Sequence, residues 1–268
     1  MEKFSPELIT SFKNPKIQYI RELLNSRKSR EEQRACVIEG VRLAEEAAQA
    51  AGQVVQMVVF SEKLSGRGME LVNTLSTNGC QVIKVPQELM ARISDTESDQ
   101  GLLLVIETKT TALPQKLEFV LILDELKDPG NMGTILRTAA AAGVQLLITT
   151  PGCVDVYAPK VMRAGMGAHF RLALATLDWP GISKLCQSQT PSLPLFLAEA
   201  AEGTPLWELN LAQPVGIIIG GEAEGASAAA RAAATGSAII PMPGGSESLN
   251  AAIAAGIFLF EAVRQRSA

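Results

Sequence analysis

The chain has 268 residues, of which 47% are hydrophobic and 19% charged, enough apolar side chain for one large core or two modest ones. Its net charge of −4 at pH 7 counts against a protein coated in nucleic-acid contacts. No run of about 18 apolar residues is present to span a membrane, the opening Met1-Glu-Lys-Phe-Ser-Pro has no signal-peptide core, and Cys36, Cys80, Cys153 and Cys186 never fall in a CxxC spacing. A cytoplasmic protein without disulfides, metal site or membrane partner is expected.

Residues 8–34 read as helical, with Ile17, Ile20, Leu23 and Leu24 at helix spacing and a polar break over 26–30. Strands over 37–40, 54–60, 81–85 and 101–106 then alternate with helices over 41–51, 70–76 and 87–93, the pattern of a small α/β domain. The polar, Pro-containing stretch 107–117 reads as a linker, dividing a domain over 1–106 from one over 118–268. Beyond it, nearly unbroken apolar strands at 120–123, 145–149, 195–198, 215–219 and 238–240 predict a mostly parallel sheet covered on both faces. Helices are expected over 131–142, 158–168, 182–188, 226–234 and 249–266.

Charge is unevenly spread. Residues 1–117 balance, and residues 118–268 carry the whole deficit. Near the start, Lys13, Lys16, Arg21, Arg27, Lys28, Arg30 and Arg34 face only Glu22, Glu31 and Glu32. Such a local excess suits phosphate, although a solvated helix face is the commoner explanation of a charge run. Lys13, Lys16, Arg27, Lys28 and Arg30 are the candidates for such contacts.

Three segments share a strand–turn–helix build. In Asp128-Pro-Gly-Asn131-Met-Gly133, Asn131 stands where an N-cap is expected, and Arg137 follows two turns into a helix rich in alanine. In Gly220-Gly-Glu222-Ala-Glu-Gly225, an apolar strand runs into glycines and a carboxylate; without a following Lys-Ser/Thr it is not a phosphate loop. In Ile240-Pro-Met242 with Ser248-Leu-Asn250, polar side chains enter the last helix, where they bind a ligand or cap the helix. The single His169 lies in Gly165-Met-Gly-Ala-His-Phe170 and suits a structural place better than a Ser-His-Asp triad, because no GxSxG elbow exists.

Together the three segments, in this order and spacing over 118–268, closely resemble the three motifs of the SpoU (TrmH) family of RNA ribose 2′-O-methyltransferases, in the SPOUT superfamily. The N-terminal part, with Ser11-Phe-Lys-Asn-Pro-Lys16 and Ile38-Glu-Gly-Val-Arg-Leu-Ala-Glu45, resembles the substrate-binding domain of many members, itself similar to a small ribosomal protein. The resemblance implies an α/β catalytic domain tied into a deep trefoil knot, a homodimer, and S-adenosyl-L-methionine held at Gly220, Ile240 and Leu249, with Gly221 and Met242 beside them. It implies that Asn131, Arg137, Glu222, Ser248 and Asn250 carry the chemistry. The implied substrate is ribosomal RNA first and transfer RNA next, with a non-catalytic RNA- or ribosome-binding protein as the other reading. Where many members continue the third motif with Val-Ser, this chain has Ala251-Ala252.

Overall fold

The computed structural model describes residues 6–50, 53–96, 99–108, 113–222 and 224–267. Two units emerge: Met1–Lys109 with Tyr157–Phe170, and Thr110–Val156 with Arg171–Ala268. The division is therefore not a single cut at the expected linker, of which residues 109–112 lie outside the described residues.

The first unit runs β1 (Glu7–Leu8), α1 (Pro15–Asn25), α2 (Arg27–Gln33), β2 (Ala35–Glu39), α3 (Val41–Gln49), β3 (Val55–Phe60), α4 (Gly66–Thr77), β4 (Gln81–Lys84), α5 (Gln87–Ile93) and β5 (Leu102–Glu107). The helical stretch is divided at the expected polar break: Ser26 takes an extended conformation and accepts from the Ser29 N–H as the cap of α2. The sheet is mixed, in the order β1-β4-β3-β5-β2, with β5 antiparallel to β2 and β3. One face buries Ile17, Ile20, Leu23 and Met90. The other buries Leu71, Val72 and Ala44 together with Met162.

The second unit begins with β6 (Phe119–Asp124), α6 (Pro129–Ala142) and β7 (Leu146–Thr149). Helix α7 (Pro159–Gly165), which supplies Met162, then belongs to the first unit, where Arg163 pairs with Asp95 at 2.8 Å. The second unit resumes with β8 (Ala173–Thr176), α8 (Trp179–Gln187), β9 (Leu195–Glu199), β10 (Thr204–Pro205), β11 (Val215–Gly220), α9 (Ala228–Ala233), β12 (Gly236–Ile239) and α10 (Ala251–Arg266). Strands β1, β8 and β10 had no signal in the pattern: two have only two residues, and β8 has four, Ala-Leu-Ala-Thr, none of them buried.

All seven strands of this sheet are parallel, in the order β10-β12-β9-β11-β6-β7-β8. Val120–Leu123 and Ile217–Ile218 are fully buried, as strands covered on both faces must be. From β6 the chain builds outward through β7 and β8, then returns to the other side through β9 and β12. The reversal falls between β6 and β11, whose last paired residues are Asp124 and Gly220. Ligands of open parallel sheets bind outside the carboxyl ends of strands at such a point.

Candidate active site

Helix α6 starts two residues earlier than expected. Asp128, not Asn131, is its N-cap, accepting from the Asn131 N–H at 2.7 Å, and Pro129 occupies the first turn, where its missing N–H costs nothing. This correction matters for the site, because it frees the Asn131 side chain. Its Nδ2 donates to Glu222 Oε1 at 2.8 Å. Its Oδ1 accepts from Asn250 Nδ2 at 2.9 Å. Asn250 Oδ1 in turn caps α10, accepting from the N–H groups of Ala252 at 2.9 Å and Ile253 at 3.3 Å. For Asn250, capping and site-building are thus both real, one from each end of the amide.

The direction of this chain is forced. An ionised carboxylate only accepts, so Asn131 must turn its NH₂ to Glu222 and its oxygen to Asn250. Partial desolvation opposes ionisation of Glu222, but donation from Asn131, from its own backbone and from the N–H groups of Lys127 and Asp128 outweighs it and holds the carboxyl below its ordinary range.

Next to Glu222 lies a cavity of about 380 Å³, within the range of small-molecule sites. Gly220, Gly221, Ile240, Met242 and Leu249, the residues expected to hold a cofactor, all line it, as do Glu222 and Ser248. The glycines are required by close backbone approach. A Cβ at Gly220 would stand 2.5 Å from the Ala226 nitrogen, and one at Gly221 would stand 2.8 Å from the Glu125 carbonyl oxygen. The loop folds on itself there, Gly221 N–H donating to Gly225 O at 3.1 Å.

Its base is a residue that the sequence reading passed over. Asp124 is fully buried and accepts from Ser227 N–H at 2.7 Å, Trp179 Nε1 at 2.9 Å and Thr150 Oγ1 at 3.2 Å. A buried carboxylate with three donors is stable only as a fixed hub, and here it ties the glycine loop to the strand end.

Arg137 is not brought to the cavity. It is exposed on α6, and among the described residues nothing engages its guanidinium. The helix buries Ile135, Leu136 and Ala139 and turns Arg137 outward.

The candidate RNA contacts all lie in the first unit. Lys13 is exposed. Lys16 pairs with Glu7 at 2.5 Å, Arg27 with Glu31 at 2.7 Å and Lys28 with Glu32 at 3.7 Å. Arg30 is a correction: it is only 6% exposed, and its Nη1 donates to the carbonyls of Leu23 at 2.5 Å and Leu24 at 3.2 Å. It closes the last turn of α1 rather than facing RNA.

A sequence profile of the SpoU rRNA methylase family matches residues 118–260, and one of the MRM3-like substrate binding domain matches 14–104. The chain belongs to the SpoU rRNA methylase family. Among its relatives, an uncharacterized tRNA/rRNA methyltransferase of Synechocystis is 33% identical, with 96% of this chain and 94% of that protein covered. The 23S rRNA (guanosine(2553)-2′-O)-methyltransferase RlmP of Bacillus subtilis is 28% identical over 94% of this chain and 97% of its own. An AdoMet-bound rRNA methyltransferase from Sinorhizobium meliloti superposes with a TM-score of 0.85 at 28% identity, covering 96% of this chain and 97% of that one. The Glu222–Asn131–Asn250 chain joins one residue from each of the three strand–turn–helix segments.

Proposed function

We propose that this SpoU family member transfers a methyl group from S-adenosyl-L-methionine to a ribose 2′-hydroxyl of ribosomal RNA. The observation that carries the reading is the hydrogen-bonded chain Glu222–Asn131–Asn250 beside the cavity at the β6/β11 switch point. The ribosomal target is supported by the relatives named for ribosomal RNA and by the substrate-binding profile over 14–104.

The residues fit the cofactor. Gly220 and Gly221 leave their backbone open to the cavity, Ile240, Met242 and Leu249 give it apolar wall, and Ser248 lines it with a hydroxyl that no described residue engages. When bound, S-adenosyl-L-methionine supplies an electrophilic methyl group on sulfur, which needs placement in line with the nucleophile rather than activation. The protein's task is the hydroxyl. Glu222 and Asn131 fix the floor of the site, and Ser248 accepts from or donates to the ribose.

Arg137 holds its proton too firmly to act as a base. Its planar fork instead binds a backbone phosphate and stabilises the developing alkoxide, while the new O–CH3 bond replaces the S–CH3 bond, S-adenosylhomocysteine departs and the hydroxyl proton is released to water. Because Arg137 points away from the cavity of its own chain, we assign the active enzyme to a homodimer in which Arg137 of one protomer serves the other. The apolar side chains that α10 leaves exposed, Ile253 at 55% and Phe260 at 51%, support such a contact. The return of 240–250 to α6 supports the trefoil knot. The chemistry proceeds in the cytoplasm, in keeping with four cysteines that form no disulfide.

The test is transfer of labelled methyl to separate ribosomal and transfer RNA pools, followed by mapping of the product. A 2′-O-methyl ribose in ribosomal RNA is expected. Label only in transfer RNA moves the substrate to the tRNA reading, and label on a base overturns the ribose assignment.

A further inference from the structure

Glu199 ends β9 and lines the same cavity, with Ala198 and Ala200 on either side. Its side chain is 20% exposed, and one carboxylate oxygen, Oε1, is taken by Arg231 of α9. Among the described residues nothing engages the other, Oε2. Arg231 also leans over the glycine loop: a Cβ on Gly225 would meet its Nη2 at 3.6 Å. The guanidinium therefore pins the carboxylate at the cavity wall, with one acceptor still open.

We infer that Glu199 is a cofactor-positioning residue that accepts a hydrogen bond from the ribose diol of the adenosyl group. The inference rests on the proposed use of S-adenosyl-L-methionine. Three kinds of donor on that molecule could meet Oε2: an ammonium, an adenine amine and two vicinal hydroxyls. Pairing with Arg231 cancels much of the charge that would draw an ammonium, while the remaining lone pairs still suit a neutral hydroxyl. The place also suits it. Beside a glycine turn in a parallel sheet, an acidic side chain at a strand's carboxyl end is the group that holds a ribose hydroxyl in dinucleotide-binding folds. Nor is Glu199 needed to balance the fold. Its partner Arg231 is half exposed, and a surface ion pair of that kind contributes little stability.

Calorimetry with S-adenosylhomocysteine and its 2′-deoxy and 3′-deoxy analogues tests this without turnover. Wild type should bind the parent compound about tenfold more tightly than at least one deoxy analogue. Glu199→Ala should lose that same factor toward the parent and bind parent and analogues alike. Arg231→Ala, which leaves the carboxylate in place but unpinned, should lose less. A Glu199→Ala protein that binds the parent like wild type, or that still discriminates against the deoxy compounds, overturns the inference while leaving the methyltransferase reading intact. Wild type that binds none of the three overturns both. Thermal melting of each variant separates lost affinity from lost fold.

Discussion

The motif junction of the second unit and the basic helix pair of the first use the same kinds of side chain to opposite ends. At the junction, Asn131 reaches a partner 91 residues away and Asn250 one 119 residues away. In the helix pair, Arg27 and Lys28 each reach four residues along their own helix, and Arg30 reaches back seven. Long-range polar pairing needs the whole fold to bring its partners together, and it leaves a cavity beside them. Short-range pairing maintains a helix and can be satisfied in any protein. The reach of a polar contact therefore says more about function than the density of charge does.

The comparison can be broken most severely at Glu222. Glu222→Ala should cost about hundredfold in methyl transfer by single-turnover assay, since it releases the amide that fixes the site. Asn131→Ala combined with it should lose little more, because the two act as one unit; additive losses would show that they work separately.

On the local side, Arg30→Ala should destabilise the protein by about 2 kcal/mol in urea denaturation, by orphaning the last carbonyls of α1. RNA affinity should stay unchanged in the folded variant.

A smaller effect belongs to Glu261, whose carboxyl is pulled down to about 2 by hydrogen bonds from Arg264 and Gln265 within α10. A carboxyl depressed in the folded state adds stability above its ordinary value of 4.5 and loses it as pH falls toward the folded value. Melting temperature should therefore fall in that acid window for wild type and fall less for Glu261→Gln.

The smallest effect is expected at Lys28, which is 83% exposed and holds Glu32 loosely. Lys28→Ala should leave stability and turnover alone and reduce the salt slope of RNA binding by about one if it meets a phosphate.

Much of the site was legible in the chain because its parts are compact motifs. Gly220-Gly-Glu222 and Ser248-Leu-Asn250 lie where the residues suggested, on the cavity and beside it. What the chain does not show is orientation: a helix pattern does not say which face of α6 packs, and Arg137 lies exposed on the face that does not. The cap of α6 was misplaced by three residues, although Asp128 before Pro129 is itself a start signal. Asp124 gave no warning, because an acidic residue at a strand end becomes a hub only when Thr150, Trp179 and Ser227 arrive from elsewhere in the chain.

The Asp124 hub also gives the protein a built-in optical probe. Of its two tryptophans, Trp207 is 53% exposed, while Trp179 donates its indole N–H to this buried carboxylate at the foot of the glycine loop. A quencher in the solvent should reach Trp207 first, leaving the emission of Trp179 as a spectroscopic report on the ground beneath the active site. With Trp207→Phe the report is isolated, and a shift of the remaining band on adding S-adenosylhomocysteine would report binding beside the hub.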